Sequence, residues 1–163
     1  MSNLADVSEG IISAILTKVN VAGAPVTVTI AQKTEGPLTF WLNDKAEASA
    51  YPFLSVHLNT WPDFGGQSIK QIVEVAFRAE IFVMDKAVAG ENPYSLVRRL
   101  ACSVLDNLLY TGDLGLSYVN YINPITIEAL PQELNDYLTW SGTNSAAAKI
   151  VIDVVCTYNP YET

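Results

Sequence analysis

The run 70-KQIVEVAFRAEIFVMD-85 limits the possible folds more than any other part of the chain. Val73, Val75, Phe77, Ala79, Ile81 and Val83 fall on one side of an extended backbone, and Glu74, Arg78 and Glu80 on the other. That period of two predicts a long, half-buried strand of antiparallel character, since strands of parallel sheets read as continuous apolar runs.

Other segments repeat the pattern. At 52-PFLSVHLN-59, Leu54, Val56 and Leu58 share one face while Ser55 and His57 share the other. The stretch 147-AAKIVIDVVCTY-158 puts Ala148, Ile150, Ile152, Val154, Cys156 and Tyr158 on one face, and 26-VTVTI-30, preceded by the turn material AGAP, predicts a short strand. Leu116, Tyr118 and Ile122 alternate, after which the apolar register moves to Ile125, Ile127 and Ala129, so a bulge or bend is expected at Asn123-Pro124.

Two segments carry helical spacing instead. Leu4, Val7, Ile11, Ile15 and Val19 predict an amphipathic helix that Ser2 or Asn3 caps and that ends near Asn20. In the second, Asn92 suits the N-cap, Pro93 the first helical position and Gly112 the C-terminal stop. Between them Leu96, Val97, Leu100, Ala101, Val104, Leu105 and Leu108 form one apolar face, with Ser95, Arg98, Arg99, Ser103, Asp106 and Asn107 elsewhere. The order α-β-β-β-α-β-β predicts an α+β fold: a mainly antiparallel sheet with helices packed on one face. The 163 residues suit a single domain, with long loops at 31–51, 59–69 and 131–146 and a short polar tail at 159–163.

Seventeen acidic against nine basic residues give a net charge of −8, a poor match to a phosphate backbone, so sequence reading of nucleic acid is not expected. Cys102 and Cys156 sit in apolar periodic segments without a CxxC spacing and are expected to be buried, reduced thiols. The start, MSNLADVSEG, lacks the cationic and apolar blocks of a signal peptide, and no apolar run reaches the length of a membrane span. A soluble protein made in the cytoplasm is the expectation.

A search for catalytic equipment returns little. His57 is the single histidine, which rules out a two-histidine metal site within one chain; its place on the polar side of a strand predicts a surface or sheet-edge role. No phosphate loop, dinucleotide fingerprint or nucleophile elbow is present, and DFGG at 63–66 reads as a turn. Glu74 and Glu80 lie too far apart along their strand to form a tight pair, and Glu128, Glu133 and Asp136 border a loop where solvated acids are ordinary. No enzyme activity, metal or cofactor is expected. The loops, by contrast, hold Phe40 and Trp41, Trp61 and Phe64, and Tyr137, Leu138 and Trp140. Aromatics in surface loops point to contacts with partners, although loops folding back over the sheet would bury them.

The layout resembles the tail terminator (tail completion) proteins of long-tailed bacteriophages. The features that carry the likeness are the helix 4-LADVSEGIISAIL-16, the strand ending in 77-FRAEIFVMD-85, the helix 93-PYSLVRRLACSVLDNLL-109 and the last strand 149-KIVIDVVCTY-158. They span most of the chain and include no invariant motif. The resemblance implies a structural virion protein of the tail or neck, assembled in the host cytoplasm. Six copies would close into a ring on the last layer of the tail tube, stop its polymerisation and meet a head-tail connector or neck protein. DNA would pass the lumen without sequence-specific binding, and acidic walls would keep it from sticking. Phe40, Trp41, Trp61, Phe64, Tyr137, Trp140, Arg98 and Arg99 are the candidate contacts with a neighbouring subunit or the tube. Three alternatives stay open: another neck, tube or baseplate component; a small-molecule or peptide-binding module walled by Trp61, Phe64 and Trp140; and, ranked last, an enzyme using His57 or an acid pair.

Overall fold

The computed structural model describes residues 3–20, 28–34, 38, 51–58, 64, 73–86, 91–130 and 145–159. Within them lie helix α1 (Leu4–Lys18), strands β1 (Ile30–Lys33), β2 (Phe53–Leu58) and β3 (Val73–Lys86), helix α2 (Pro93–Thr111), and strands β4 (Val119–Ala129) and β5 (Ser145–Tyr158). The strands form one sheet in the order β1-β2-β3-β5-β4, antiparallel except for the parallel pair β1/β2. The expected α+β class, order and antiparallel bias all hold.

Both helices lie on the same face. Val7, Ile11 and Ile15 of α1, and Val97, Leu100, Ala101, Val104 and Leu108 of α2, join the inward residues of β2, β3, β4 and β5 in one continuous core. α1 covers the β1/β2 end and α2 the β3/β5/β4 end. The caps work as the sequence suggests. Asn3 and Asp6 form a reciprocal capping box on α1, Asn92 accepts from Tyr94 N on α2, and Gly112, at φ +66°, closes α2 by donating to Leu108 O. Gly10, inside α1, has a separate reason to lack a side chain: a Cβ there would collide with the Tyr118 hydroxyl.

The opposite face of the sheet is closed over as well, which the alternation in β3 does not reveal. Leu38, Phe53, Phe82, Met84, Leu130 and Ala147 form a second apolar cluster there, with Phe53 and Phe82 meeting edge to face at 6.3 Å between centroids. β3 is therefore buried on both sides from Ala79 to Met84 rather than half-buried.

Other departures are local. β1 occupies Ile30–Lys33, beginning at the last residue of the 26–30 run expected to form it, and so takes the first residues of the expected 31–51 loop. Pairing with β2 decides that position, overriding the weak strand preference of Ala-Gln-Lys. Likewise β5 begins at Ser145, two residues inside the expected 131–146 loop, because its ladder with β3 runs to Lys86. The register shift forecast at Pro124 is present between Pro124 and Thr126, and a second falls between Val119 and Tyr121. Cys102 is exposed, contrary to expectation, because its position on α2 points away from the Leu100/Val104 stripe; Cys156 is buried, and burial pushes its thiol up to about 12.

Asn107, expected on the polar side of α2, is buried and donates from Nδ2 to the carbonyl of Val19 at 2.8 Å, tying the two helices together. Asn20 extends the clasp: its side chain both donates to and accepts from the Val28 backbone, at 2.8 and 2.7 Å. Replacing Asn107 by Ala strands the Val19 carbonyl, so Asn107→Ala is expected to lower unfolding free energy by about 1–3 kcal/mol in urea titration. An unchanged midpoint would mean that water replaces the amide.

Candidate interaction surface

Surface chemistry is distributed unevenly over the fold. Among the described residues the exposed large apolar side chains are Phe64, Tyr94, Leu109, Tyr110, Tyr121 and Ile125; all but Phe64 lie on α2 or β4, and Tyr110 is 84% exposed. α2 packs over β5, β3 and β4, and Tyr94, Leu109 and Tyr110 are spread along its length, whereas Tyr121, opposite Val155 on the edge strand β4, stands on the sheet face away from the helices. Arg98 and Arg99 project from the same helix, both exposed, as does Asp106. Neither arginine makes an ion pair among the described residues, whereas Lys33, Arg78 and Lys149 pair with Glu9, Asp153 and Glu128.

Between α2 and β4 lies a cavity of about 390 Å³, open to solvent, whose walls include Tyr94, Val97, Arg98, Cys102, Ile127 and Ala129. Its lining is mostly apolar and includes Arg98, a composition suited to side chains of a partner or to a small amphiphilic ligand. The β4 edge beside it is interrupted by Pro124 and by two register shifts, which work against adding a further regular strand.

The second polar constellation is on the face away from the helices. Ser55 Oγ and His57 Nε2 are 2.7 Å apart on β2, and His57 stands opposite Glu80 of β3. The surface or edge role expected for His57 is corrected here: β2 is flanked by β1 and β3, and His57 and Ser55 are both 0% exposed. A histidine beside a serine and a carboxylate has the residue types of a nucleophile relay, but the pair is closed to any substrate in this conformation. Around Glu80, Arg78 bonds both carboxylate oxygens of Asp153 at 2.9 and 3.1 Å, and Lys149 meets Glu128 at 3.0 Å, a ladder of alternating sign across β3, β5 and β4. Among the described residues no group of three His, Cys, Asp or Glu is placed to hold a metal ion, and no described helix is long and apolar enough to cross a membrane.

Of the candidate contacts expected from sequence, Arg98 and Arg99 stand on the exposed side of α2, and Phe64 is exposed. Phe40, Trp41, Trp61, Tyr137 and Trp140 lie outside the described residues, as do Glu133 and Asp136. Sequence reading missed Tyr94, Leu109, Tyr110, Tyr121 and Ile125. The signal for two of them was present: Leu109 and Tyr110 extend the apolar run past Leu108, around the helix from the core stripe.

Comparison with models of protein families finds no match, and neither does comparison with curated proteins. The surface itself therefore carries the functional argument.

Burial raises the Glu80 carboxyl above its ordinary value; Lys149 and Arg78 pull it back in part, and Glu128 adds to the rise. The folded protein thus holds this proton more tightly than the unfolded chain, so stability falls as pH climbs from the ordinary value of 4.5 through the raised one. Glu80→Gln removes that loss. Its melting temperature relative to wild type is expected to rise between about pH 4 and about pH 8, and a constant difference would show that Glu80 stays charged at no cost.

Proposed function

We propose that the protein works by assembly, as a tail terminator of a long-tailed bacteriophage: a virion protein of the tail or neck. Six copies form a ring that caps the tail tube, stops its growth and joins it to a head-tail connector or neck protein, while DNA passes the lumen without sequence-specific contact. The observation that carries the reading is the outer side of α2, which exposes Tyr94, Leu109 and Tyr110 along with Arg98 and Arg99. Tyrosine and arginine are enriched in protein interfaces, and three exposed apolar side chains with two arginines on one helix suit a surface that meets a partner. The fold class and element order agree with the family resemblance, and the acidic balance agrees with a lumen that releases DNA. A different neck, tube or baseplate component would share these properties and differ in what it caps.

The α2–β4 cavity favours a second reading, a module that binds a small amphiphilic molecule or a peptide. Stoichiometry separates the two: a binding module is a monomer whose melting temperature rises with ligand.

For the terminator reading, the purified protein is expected to show a hexameric native mass by light scattering as concentration rises, and to halt the elongation of tail-tube protein at substoichiometric amounts. Tubes of unchanged length at saturating protein would contradict it.

A further inference from the structure

This inference rests on the ring reading and assigns its subunit contact. The α2–β4 end and the α1–β1 end are opposite limits of one sheet, and they differ in charge and texture. α2 exposes Arg98 and Arg99 in its first half and Leu109 and Tyr110 in its last turns. α1 exposes Asp6 and Glu9 in its first half, then Ser13 and Thr17. Glu9 is bonded to Lys33 at 2.6 Å, yet its side chain remains 56% exposed and can accept from a second cation. Asp6, at the first turn, likewise keeps an exposed carboxylate while serving its cap.

The two stripes also match in length. Arg98 to Leu109 and Asp6 to Thr17 cover the same interval of eleven positions, about 16 Å along a helix axis. Laid side by side in the same direction, cations meet anions at one end, and the bulky Leu109 and Tyr110 meet the small Ser13 and Thr17 at the other.

We infer that the α2–β4 end of one copy docks on the α1–β1 end of the next, with Arg98 and Arg99 facing Asp6 and Glu9. The occupant of the exposed patch is therefore a second copy of this chain in a head-to-tail contact. Two observations favour it over a patch-to-patch dimer. A two-fold contact through α2 offers Arg98 and Arg99 a single exposed carboxylate on that helix, Asp106, whereas α1 offers two, Asp6 and Glu9. A contact between unlike ends leaves each copy with one donor and one acceptor surface, and closure into a ring is what satisfies both everywhere.

A mixing experiment tests this directly. One variant carries Arg98→Glu and Arg99→Glu, reversing the basic end; the other carries Glu9→Lys and Ser13→Lys, reversing the acidic end. All four positions are exposed, and the Asn3–Asp6 cap is left intact. Each variant alone should associate about tenfold or more weakly than wild type, since its two ends now repel. An equimolar mixture should recover the wild-type native mass with the variants alternating, because each reversed end then meets an end of opposite sign. Circular dichroism melting confirms that both variants fold.

A wild-type mass for either variant alone, or a mixture that stays dissociated, overturns the contact. A wild type that remains monomeric at the highest attainable concentration overturns it as well. The two levels of the argument separate: a ring that forms without this charge dependence leaves the terminator reading standing and removes the contact. Recovery in the mixture by a protein that does not affect tube growth does the reverse.

Discussion

The pairing of β3 with β5 is the constraint on which the rest of the structure depends. All fourteen residues of β3 are in register with β5, from Val73 opposite Tyr158 to Lys86 opposite Ser145. These two strands occupy the middle of the sheet, with β1 and β2 on one flank and β4 on the other. Their helix-side residues supply much of the floor under α1 and α2. Their other side supplies Phe82, Met84 and Ala147 to the second cluster and holds the Arg78–Asp153 bridge across the pair. A slip of β3 by one residue would turn its two faces over at once, placing Ile81 where Glu80 now lies. The double burial is what fixes the register so firmly.

From that centre the two ends of the molecule diverge. Toward β1 the sheet is capped by α1, which Asn107 ties to α2 and Asn20 ties to the backbone of Val28 just before β1, spending polar groups on internal bonds. Toward β4, α2 turns Tyr94, Leu109 and Tyr110 to solvent on the helix that also carries the exposed Arg98 and Arg99. Bulges and Pro124 keep the β4 edge from recruiting strands indiscriminately, leaving side chains rather than backbone to choose the partner.

Much of the fold was legible because period and capping speak locally. The alternation of β3 and β5, the Asn92-Pro93 start and Gly112 stop of α2, and the register change at Pro124 each rest on a few adjacent residues. What escaped depends on distant residues. Nothing near His57 or Glu80 announces that Leu38, Phe53, Phe82 and Leu130 close the second face, so both looked solvent-exposed. Asn107 reads as polar surface until Val19 is brought beside it by α1. Cys102 reads as core because its neighbours are apolar, although a turn of about 100° per residue carries it to the outer side. The interaction surface was half legible: Arg98 and Arg99 are conspicuous in sequence, but that β4 is an edge, and that Tyr121 and Ile125 are therefore exposed, follows only from strand order.

Hydroxyl-radical footprinting at Tyr94 and Tyr110 as protein concentration rises is the most direct test of the central claim, that the outer side of α2 is a buried contact in the working state. The account predicts that both tyrosines become protected over the concentration range in which native mass increases. Association with both still fully reactive would place the contact elsewhere on the molecule and contradict it.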